Sequence, residues 1–368
     1  MFEQFKTDLR WAGVRQNLVA WVFLLPFVFV YVAFLIYPFG RGVWISLHDW
    51  NLLAVTFNPD AKTFIGLDNY LRLFWGTEMT WRAWARPVLQ GLCVLAAVFF
   101  VWRYRIGELR WSTLWQCLMV LLLLMFLFGW APGEGGRWFD RRFWPTVGNT
   151  VFFVAMVVPA ITIISLLLAT ALNRETRGAA FLRTLFFLSQ VLSVTVVTLI
   201  WQMMFSARQG LVANVVREFG GVPLSWLAEP GFAMAAIVIA TVWWSIGIAM
   251  VLFLAGLQDI PQEMQEAAKL DRANSVQAFW YIILPNLKRT ITLVVILQII
   301  LHFQVFGQAH LMTQGGPNDQ TQVLVRYIYQ TAFRDSDLGI ASAMAVFLFV
   351  IMAVFSAVQF MVSREDEQ

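Results

Sequence analysis

Several polar side chains interrupt one apolar stretch of the sequence, residues 291–311. They are Gln298, His302, Gln304 and Gln308. Polar groups in an apolar helix are costly unless they face a polar interior, so they indicate either a solute path or hydrogen bonds between helices. Because an α-helix has about 3.6 residues per turn, the four cannot share one face. We therefore expect them to divide between these two roles.

The sequence gives little support for a metal site, a disulfide, a phosphate-binding loop or a catalytic site. The three histidines lack the spacing of metal ligands, and Cys93 and Cys117 lie inside apolar runs, where a disulfide is not expected. The glycine-rich segment 129–136 has no following lysine and is therefore no phosphate-binding loop. No nucleophile–base pair is recognisable. The sequence predicts a chain that is not an enzyme and has no cofactor or metal of its own.

Composition places the chain in a membrane. Of its 368 residues, 60% are hydrophobic and 13% are charged, whereas soluble domains have about 25% charged residues. A membrane-spanning helix needs about 20 apolar residues. Eight candidate runs are present, at 18–38, 88–102, 114–130, 149–172, 184–205, 234–256, 291–311 and 340–362. Because lipid cannot satisfy open backbone groups, we predict an all-α, polytopic transmembrane helical bundle of about eight spans.

Lysine and arginine indicate the orientation. They are denser in the segments that would lie on the same side as the N-terminus, which predicts a multi-pass protein of a bacterial or archaeal cell membrane with both termini cytoplasmic. This bias accounts for the net charge of +4, and no basic cluster suggests nucleic acid binding. The clearest groups are Arg103, Arg105 and Arg110 in one short turn, and Arg174, Arg177 and Arg183 in the next.

One cytoplasmic loop, 257–290, has an ordered, helix-forming sequence. Residues 266–285 read EAAKLDRANSVQAFWYIILP, in which Glu266-Ala267-Ala268 is followed at fixed spacing by Arg272 and then by Ile282-x-Leu284-Pro285. This segment resembles the EAA loop of permease subunits of binding-protein-dependent ABC importers. The family has glycine where this chain has Arg272. A left-handed residue there would cost arginine about 1–2 kcal/mol.

The resemblance implies that this loop couples the permease to an ATPase. The residues that it assigns to coupling are Glu266, Ala267, Ala268, Asp271, Arg272, Leu284 and Pro285. A second helix of the loop is predicted to begin at Asn274 or Ser275. The alternative interpretation is an ordinary amphipathic helix pair at the membrane surface.

Further motifs resemble carbohydrate-uptake permeases, the branch with the larger maltose permease subunit and the glycerol-3-phosphate permease. They include FIGLDNYLRLF at 64–74 and Thr-Gln-Gly-Gly-Pro at 313–317. Counting along the sequence from these motifs aligns His302 and several other residues with positions that contact sugar in the family. The predicted substrate path is Gln190, Thr241, Trp244, Ser245, His302 and Gln304. Hydrogen bonding between helices remains the alternative for each.

The resemblance also implies an architecture and partners. We expect an N-terminal part at 1–75, an inserted membrane hairpin at 76–143, and a core at 144–368 that completes six core spans. The expected partners are a second permease in a heterodimer, two ATPases that bind ATP and magnesium, an extracytoplasmic solute-binding protein, the sugar and membrane lipid.

Two alternatives to sugar import stay open. One is an importer of glycerol-3-phosphate or a related small polar solute. The other is an ion-coupled secondary transporter, which is disfavoured because the eight runs contain no Asp, Glu or Arg.

Overall fold

The computed structural model describes residues 21–107, 109–174 and 176–365, and most of these are helical. The helices are α1 Trp21–Ser46, α2 Leu52–Phe57, α3 Asp68–Phe74, α4 Pro87–Arg105, α5 Trp111–Phe128, α6 Phe143–Leu172, α7 Arg177–Val191, α8 Val194–Met204, α9 Leu211–Glu218, α10 Phe232–Gln258, α11 Gln262–Leu270, α12 Ser275–Asn286, α13 Lys288–Phe303, α14 Gly307–Met312, α15 Leu324–Phe333 and α16 Leu338–Glu365. Four short strands form two antiparallel pairs, β1 His48–Asp49 with β2 Thr63–Phe64 and β3 Met79–Trp81 with β4 Trp130–Pro132.

The described residues contain 6 helices long and apolar enough to cross a membrane, or up to 8 if each of two bent pairs is one span. The single helices are α1, α4, α5, α6, α10 and α16, and the bent pairs are α7–α8 and α12–α13. The predicted all-α transmembrane bundle is therefore confirmed. However, the runs 184–205 and 291–311 are not continuous helices, because each contains a backbone break that hydropathy does not register.

The chain divides into two compact units, and the first contains the N-terminal part through Asn69 together with Thr331–Val346. Within it the buried Asn69 amide donates to the carbonyl oxygens of Ser46 and His48, each at 2.9 Å. These bonds hold the end of α1 beside the β1–β2 pair. None of the most apolar window of α1 is buried, as suits a helix that meets lipid or a partner along its whole length.

The second unit contains Tyr70–Gln330 and the chain from Phe347 onward. Its centre is α10, which has 61% of its most apolar window buried. Phe253 of α10 and Phe153 of α6 are fully buried, and the Ser165 hydroxyl donates to the Ile246 carbonyl oxygen at 3.1 Å. Close packing against α6 and α7 thus makes α10 the helix around which the others are arranged.

The helices α4 and α5 form a hairpin, which fits the insert predicted from the sequence. At one end the β3 and β4 strands pair, with Thr80 opposite Ala131. At the other end Ile106 and Gly107 follow α4, and Leu109 and Arg110 precede α5. The domain limits 1–75, 76–143 and 144–368 remain a prediction.

A buried arginine attaches this hairpin to α6. Arg86 precedes α4, has only 8% of its surface exposed, and donates from Nη1 to the Phe128 carbonyl oxygen at 2.7 Å. Its guanidinium lies 3.8 Å from the ring centre of Trp144 and 4.7 Å from that of Trp138. Burial lowers the pKa of Arg86 to about 10, so it stays protonated at neutral pH. The cation–π contacts and the carbonyl at the negative end of α5 compensate for its desolvation.

Candidate functional site

The first helix break lies between α7 and α8. Leu192 has an extended backbone with ψ of 139°, and the two helices diverge by 104°. Ser193 caps α8, because its side chain accepts a hydrogen bond from the Val196 amide. Serine favours such a cap over the helix interior, so the break has a local cause in the sequence.

The Trp244 indole binds the backbone at this break. Its Nε1 donates to the carbonyl oxygen of Leu192 at 3.2 Å. Leu192 is the half-buried residue directly after α7, where the regular helical donors are absent, and a carbonyl left without a donor there would be costly. Trp244 therefore links α10 directly to the interrupted part of the α7–α8 span.

Small residues bring α7 and α10 close together next to the break. The Ser189 hydroxyl lies 2.8 Å from the Phe186 carbonyl oxygen and 3.3 Å from that of Trp244. A Cβ atom added to Gly247 would lie 2.5 Å from the Phe186 carbonyl oxygen, so only glycine fits there. The position of the break is thus fixed by backbone contact between the two helices.

The second break separates α13 from α14. α13 ends at Phe303 and α14 begins at Gly307, where an added Cβ would lie 2.5 Å from a methyl carbon of Val194. The Gln202 amide also donates to the Leu311 carbonyl oxygen at 2.7 Å. Because Val194 is the first residue of α8, the breaks lie side by side. Discontinuous helices of this kind form solute sites in membrane transporters.

The structure brings some of the predicted path residues to the first break. Gln190 is half-buried, and its buried Oε1 has no hydrogen-bond donor among the described residues. Trp244 and Ser245 are half-buried on α10, whereas the hydroxyl of the buried Thr241 donates to the Ile237 carbonyl oxygen of its own helix at 2.8 Å. An amide and an indole thus flank the break.

His302 and Gln304 lie elsewhere. His302 is only 5% exposed, its Nδ1 is 2.8 Å from the Gln298 carbonyl oxygen, and its ring centre is 6.2 Å from that of Phe153 on α6. Gln304 is exposed, with its amide nitrogen 3.5 Å from the Met352 sulfur on α16. Within the described part of the chain, no hydrogen bond or ring contact joins either one to the first break.

Sequence reasoning did not identify the residues that build the breaks. Gly247 and Gly307 gave a usable signal, since an isolated glycine in an apolar helix often marks a close approach of two backbones. The sequence contained no signal for the Leu192 carbonyl, because the role of this carbonyl depends on a tryptophan 52 positions away.

The polar loop forms two helices joined by a tight turn. At the end of α11, the Asp271 amide donates to the Ala267 carbonyl oxygen and the Ala273 amide to that of Ala268, both at 2.9 Å. Arg272 has φ of +58°, which is the left-handed conformation. This is a Schellman ending, in which glycine is the usual residue at the position of Arg272. The turn therefore does require the conformation that the family's glycine adopts freely.

The helix after the turn begins where the sequence predicts. Asn274 caps α12 in a capping box with Gln277, and the helix starts at Ser275. Of the predicted coupling residues, Ala268 is buried with 8% exposure and Leu284 is half-buried. The others are exposed, namely Glu266, Ala267, Asp271, Arg272 and Pro285.

Arg272→Gly is expected to stabilise this turn. Removing the side chain from a left-handed position relieves about 1 kcal/mol of backbone strain, so amide hydrogen exchange in α11 should slow by about fivefold. Arg272→Ala is the matched control, because it removes the charge but keeps the Cβ atom. Equal exchange rates in the two variants would show that the turn is not strained.

An all-α polytopic bundle with interrupted spans and a structured polar loop between two of them is the architecture of a membrane permease subunit. The chain belongs to the family described as binding-protein-dependent transport system inner membrane component, whose pattern matches residues 161–365.

Individual relatives agree with this assignment. The trehalose/maltose transport system permease protein MalF of Thermococcus litoralis is 29% identical over 350 residues, which is 95% of this chain and 95% of the relative. The sn-glycerol-3-phosphate transport system permease protein UgpA of Brucella suis is 34% identical over 224 residues, covering 60% and 75%. A solved bacterial ABC transporter that imports the acidic polysaccharide alginate shares the fold, with a TM-score of 0.68 at 18% identity, covering 96% of this chain and 98% of that one.

Proposed function

We propose that this permease subunit translocates a carbohydrate across the cell membrane by alternating access, driven by ATP that partner subunits hydrolyse. The α11–α12 loop is the observation that carries the proposal. It is a pair of helices in which Glu266 and Ala267, in the middle of α11, are exposed, which suits insertion into a cleft of another protein. The sequence has no phosphate-binding loop, so the ATPase that fills this role is a separate subunit.

The base of the loop is arranged so that a movement of the loop can be transmitted to the membrane-spanning helices. α12 continues into α13 through a bend of 68° next to Leu287, which is fully buried. A Cβ atom added to Gly256 of α10 would lie 2.5 Å from the Thr290 hydroxyl of α13. Because α13 and α10 are in close contact at this point, a displacement of α12 by the ATPase reaches two of the helices that carry predicted path residues.

The groups at the first break suit a neutral sugar. Gln190 offers an unpaired amide oxygen, Ser245 a hydroxyl and Trp244 an aromatic face, which are the groups that bind sugar hydroxyls and ring faces. The relative named for trehalose/maltose supports a neutral saccharide. A phosphorylated substrate would need a cationic partner in the path.

The substrate test uses the whole assembly in proteoliposomes. It would contain this chain, a second permease, the two ATPases and the solute-binding protein encoded with them. We expect ATP-dependent accumulation of a labelled disaccharide. Accumulation of sn-glycerol-3-phosphate alone would show that the substrate is this alternative solute and not a sugar. Uptake driven by an ion gradient without ATP would refute the importer mechanism.

The proposed orientation puts the hairpin turn at 106–110 in the cytoplasm with both chain termini. Ile106 is exposed in this turn. In a variant whose native cysteines are changed to alanine, Ile106→Cys should react with an impermeant thiol reagent only after the membrane is opened. Glu229→Cys, exposed in the loop before α10, is the control and should react in intact cells. Labelling of Ile106→Cys from outside would reverse the proposed topology of the hairpin.

A further inference from the structure

A pocket of about 430 Å³ opens beside strand β4, in the segment that leads from the hairpin to α6. Two arginines, a tryptophan and three small residues line it. The lining residues are Ala131, Pro132, Gly136, Arg137, Trp138 and Arg141.

The pocket is held in a fixed shape by backbone bonds. The Thr77 amide donates to the Arg137 carbonyl oxygen at 2.9 Å, and the Arg137 amide donates to the Thr77 hydroxyl at 3.0 Å. A Cβ atom added to Gly136 would lie 2.5 Å from the Thr77 carbonyl oxygen. Trp138 is held by the Arg86 guanidinium 4.7 Å from its ring centre. The site is thus preformed by the insert and does not need a ligand to shape it.

The residues that line the pocket include two arginines and no acidic residue. Arg137 and Arg141 are exposed, and neither forms an ion pair within the described part of the chain. Asp140, between them, accepts backbone amides in the first turn of α6 through Oδ1. Glu78 and Glu134 belong to the same β3–β4 region and are also exposed. Two unpaired guanidinium groups in one concave site favour an anion that accepts several hydrogen bonds.

The position along the hairpin puts this pocket at the membrane surface. Only 22% and 11% of the most apolar windows of α4 and α5 are buried, so both helices present apolar side chains to lipid. Three exposed tryptophans lie at the same end of the hairpin, Trp75, Trp81 and Trp84. Tryptophans concentrate at the depth of the lipid headgroups. The mouth of the pocket therefore lies where phospholipid phosphates are.

We propose that this pocket is a binding site for an anionic phospholipid in the leaflet on the β3–β4 side of the membrane. Arg137 and Arg141 bind the phosphate, the Trp138 ring forms one wall, and the acyl chains extend along the apolar faces of α4 and α5. The two positive charges favour an anionic over a zwitterionic headgroup. The proposal gives the insert a role as a lipid-anchored element and does not depend on the transported solute.

Photocrosslinking of the purified transporter complex tests the site. A phosphatidylglycerol with a diazirine near its headgroup should label the peptide that contains residues 129–142. Arg137→Gln with Arg141→Gln should reduce this labelling by about thirtyfold, because each basic residue near an anionic surface contributes a factor of about five. Arg72→Gln with Arg208→Gln is the matched control, since both arginines are exposed outside the pocket, and labelling should be unchanged. Equal melting temperatures of the three complexes establish that the variants are folded.

Three results would overturn the proposal. The first is undiminished labelling in the Arg137/Arg141 variant. The second is equal labelling by a phosphatidylcholine analogue, which would mean that charge plays no part. The third is loss of labelling when millimolar inorganic phosphate is added but not when unlabelled phosphatidylglycerol is added, which would assign the pocket to a free anion.

Discussion

Glu266→Lys is expected to abolish ATP-driven uptake while the subunit stays in the membrane. The Glu266 side chain is exposed in the middle of α11, the helix that is proposed to enter the ATPase. Reversing a charge inside a docking interface costs about 2 kcal/mol or more, which corresponds to a loss of affinity of about thirtyfold. The measurements are sugar uptake in cells, the amount of subunit in the membrane, and the ATPase that copurifies with it.

A second variant of the loop separates docking from folding. Ala267 is exposed, whereas Ala268 is only 8% exposed. Ala267→Asp should therefore leave the subunit intact and block docking. Ala268→Asp should lower the amount of folded subunit as well, because it buries a carboxylate.

Glu263→Lys is the matched charge control on the same helix. Its side chain is also exposed, one turn closer to the membrane-spanning α10. We expect it to retain most of the uptake. Wild-type uptake by Glu266→Lys at normal expression would show that the exposed Glu266 of α11 does not couple transport to ATP hydrolysis.

Trp244→Phe is expected to reduce transport strongly without unfolding the subunit. The change keeps the aromatic ring but removes the indole donor that lies 3.2 Å from the Leu192 carbonyl oxygen. Leu192 is half-buried, and a carbonyl that loses its donor away from water costs about 1–3 kcal/mol, so the arrangement of the α7–α8 break should be lost in a large fraction of molecules. The measurement is the initial rate of sugar uptake as a function of sugar concentration, with subunit amounts compared by immunoblotting.

Trp243→Phe provides the neighbouring control. Trp243 is exposed on the same helix and contacts the Trp201 ring at 5.9 Å between ring centres. Its substitution should leave uptake within about twofold of wild type, as for most surface changes. If Trp243→Phe and Trp244→Phe reduce uptake equally, the hydrogen bond to Leu192 has no special part in transport.

The local signals of the sequence were reliable in the coupling loop. The start of α12 at Ser275 follows from Asn274, whose side chain caps the helix through bonds within four residues. The family has glycine at the position of Arg272, and this glycine indicated the left-handed backbone that Arg272 adopts. Such features are determined by neighbours in the chain, and for this reason the residues themselves reveal them.

The contacts of the predicted path residues were harder to predict from the sequence. His302 and Gln304 belong to one apolar run, and yet His302 packs towards Phe153 and Gln304 lies beside Met352. Polarity within an apolar run tells that a side chain needs a partner, but it does not tell which helix provides the partner.

By itself, the sequence determined that this protein is a helical membrane permease subunit with a structured polar loop, because hydrophobicity, helix caps and motif spacing act over short distances along the chain. Only the tertiary structure decided where the spans break and which polar groups meet. The Trp244–Leu192 hydrogen bond, the contact of Gly307 with Val194, and the Arg86 contacts that hold the hairpin each join residues distant in sequence. Their energies arise only when helices pack, since a buried carbonyl or guanidinium takes whichever partner the neighbouring helix presents.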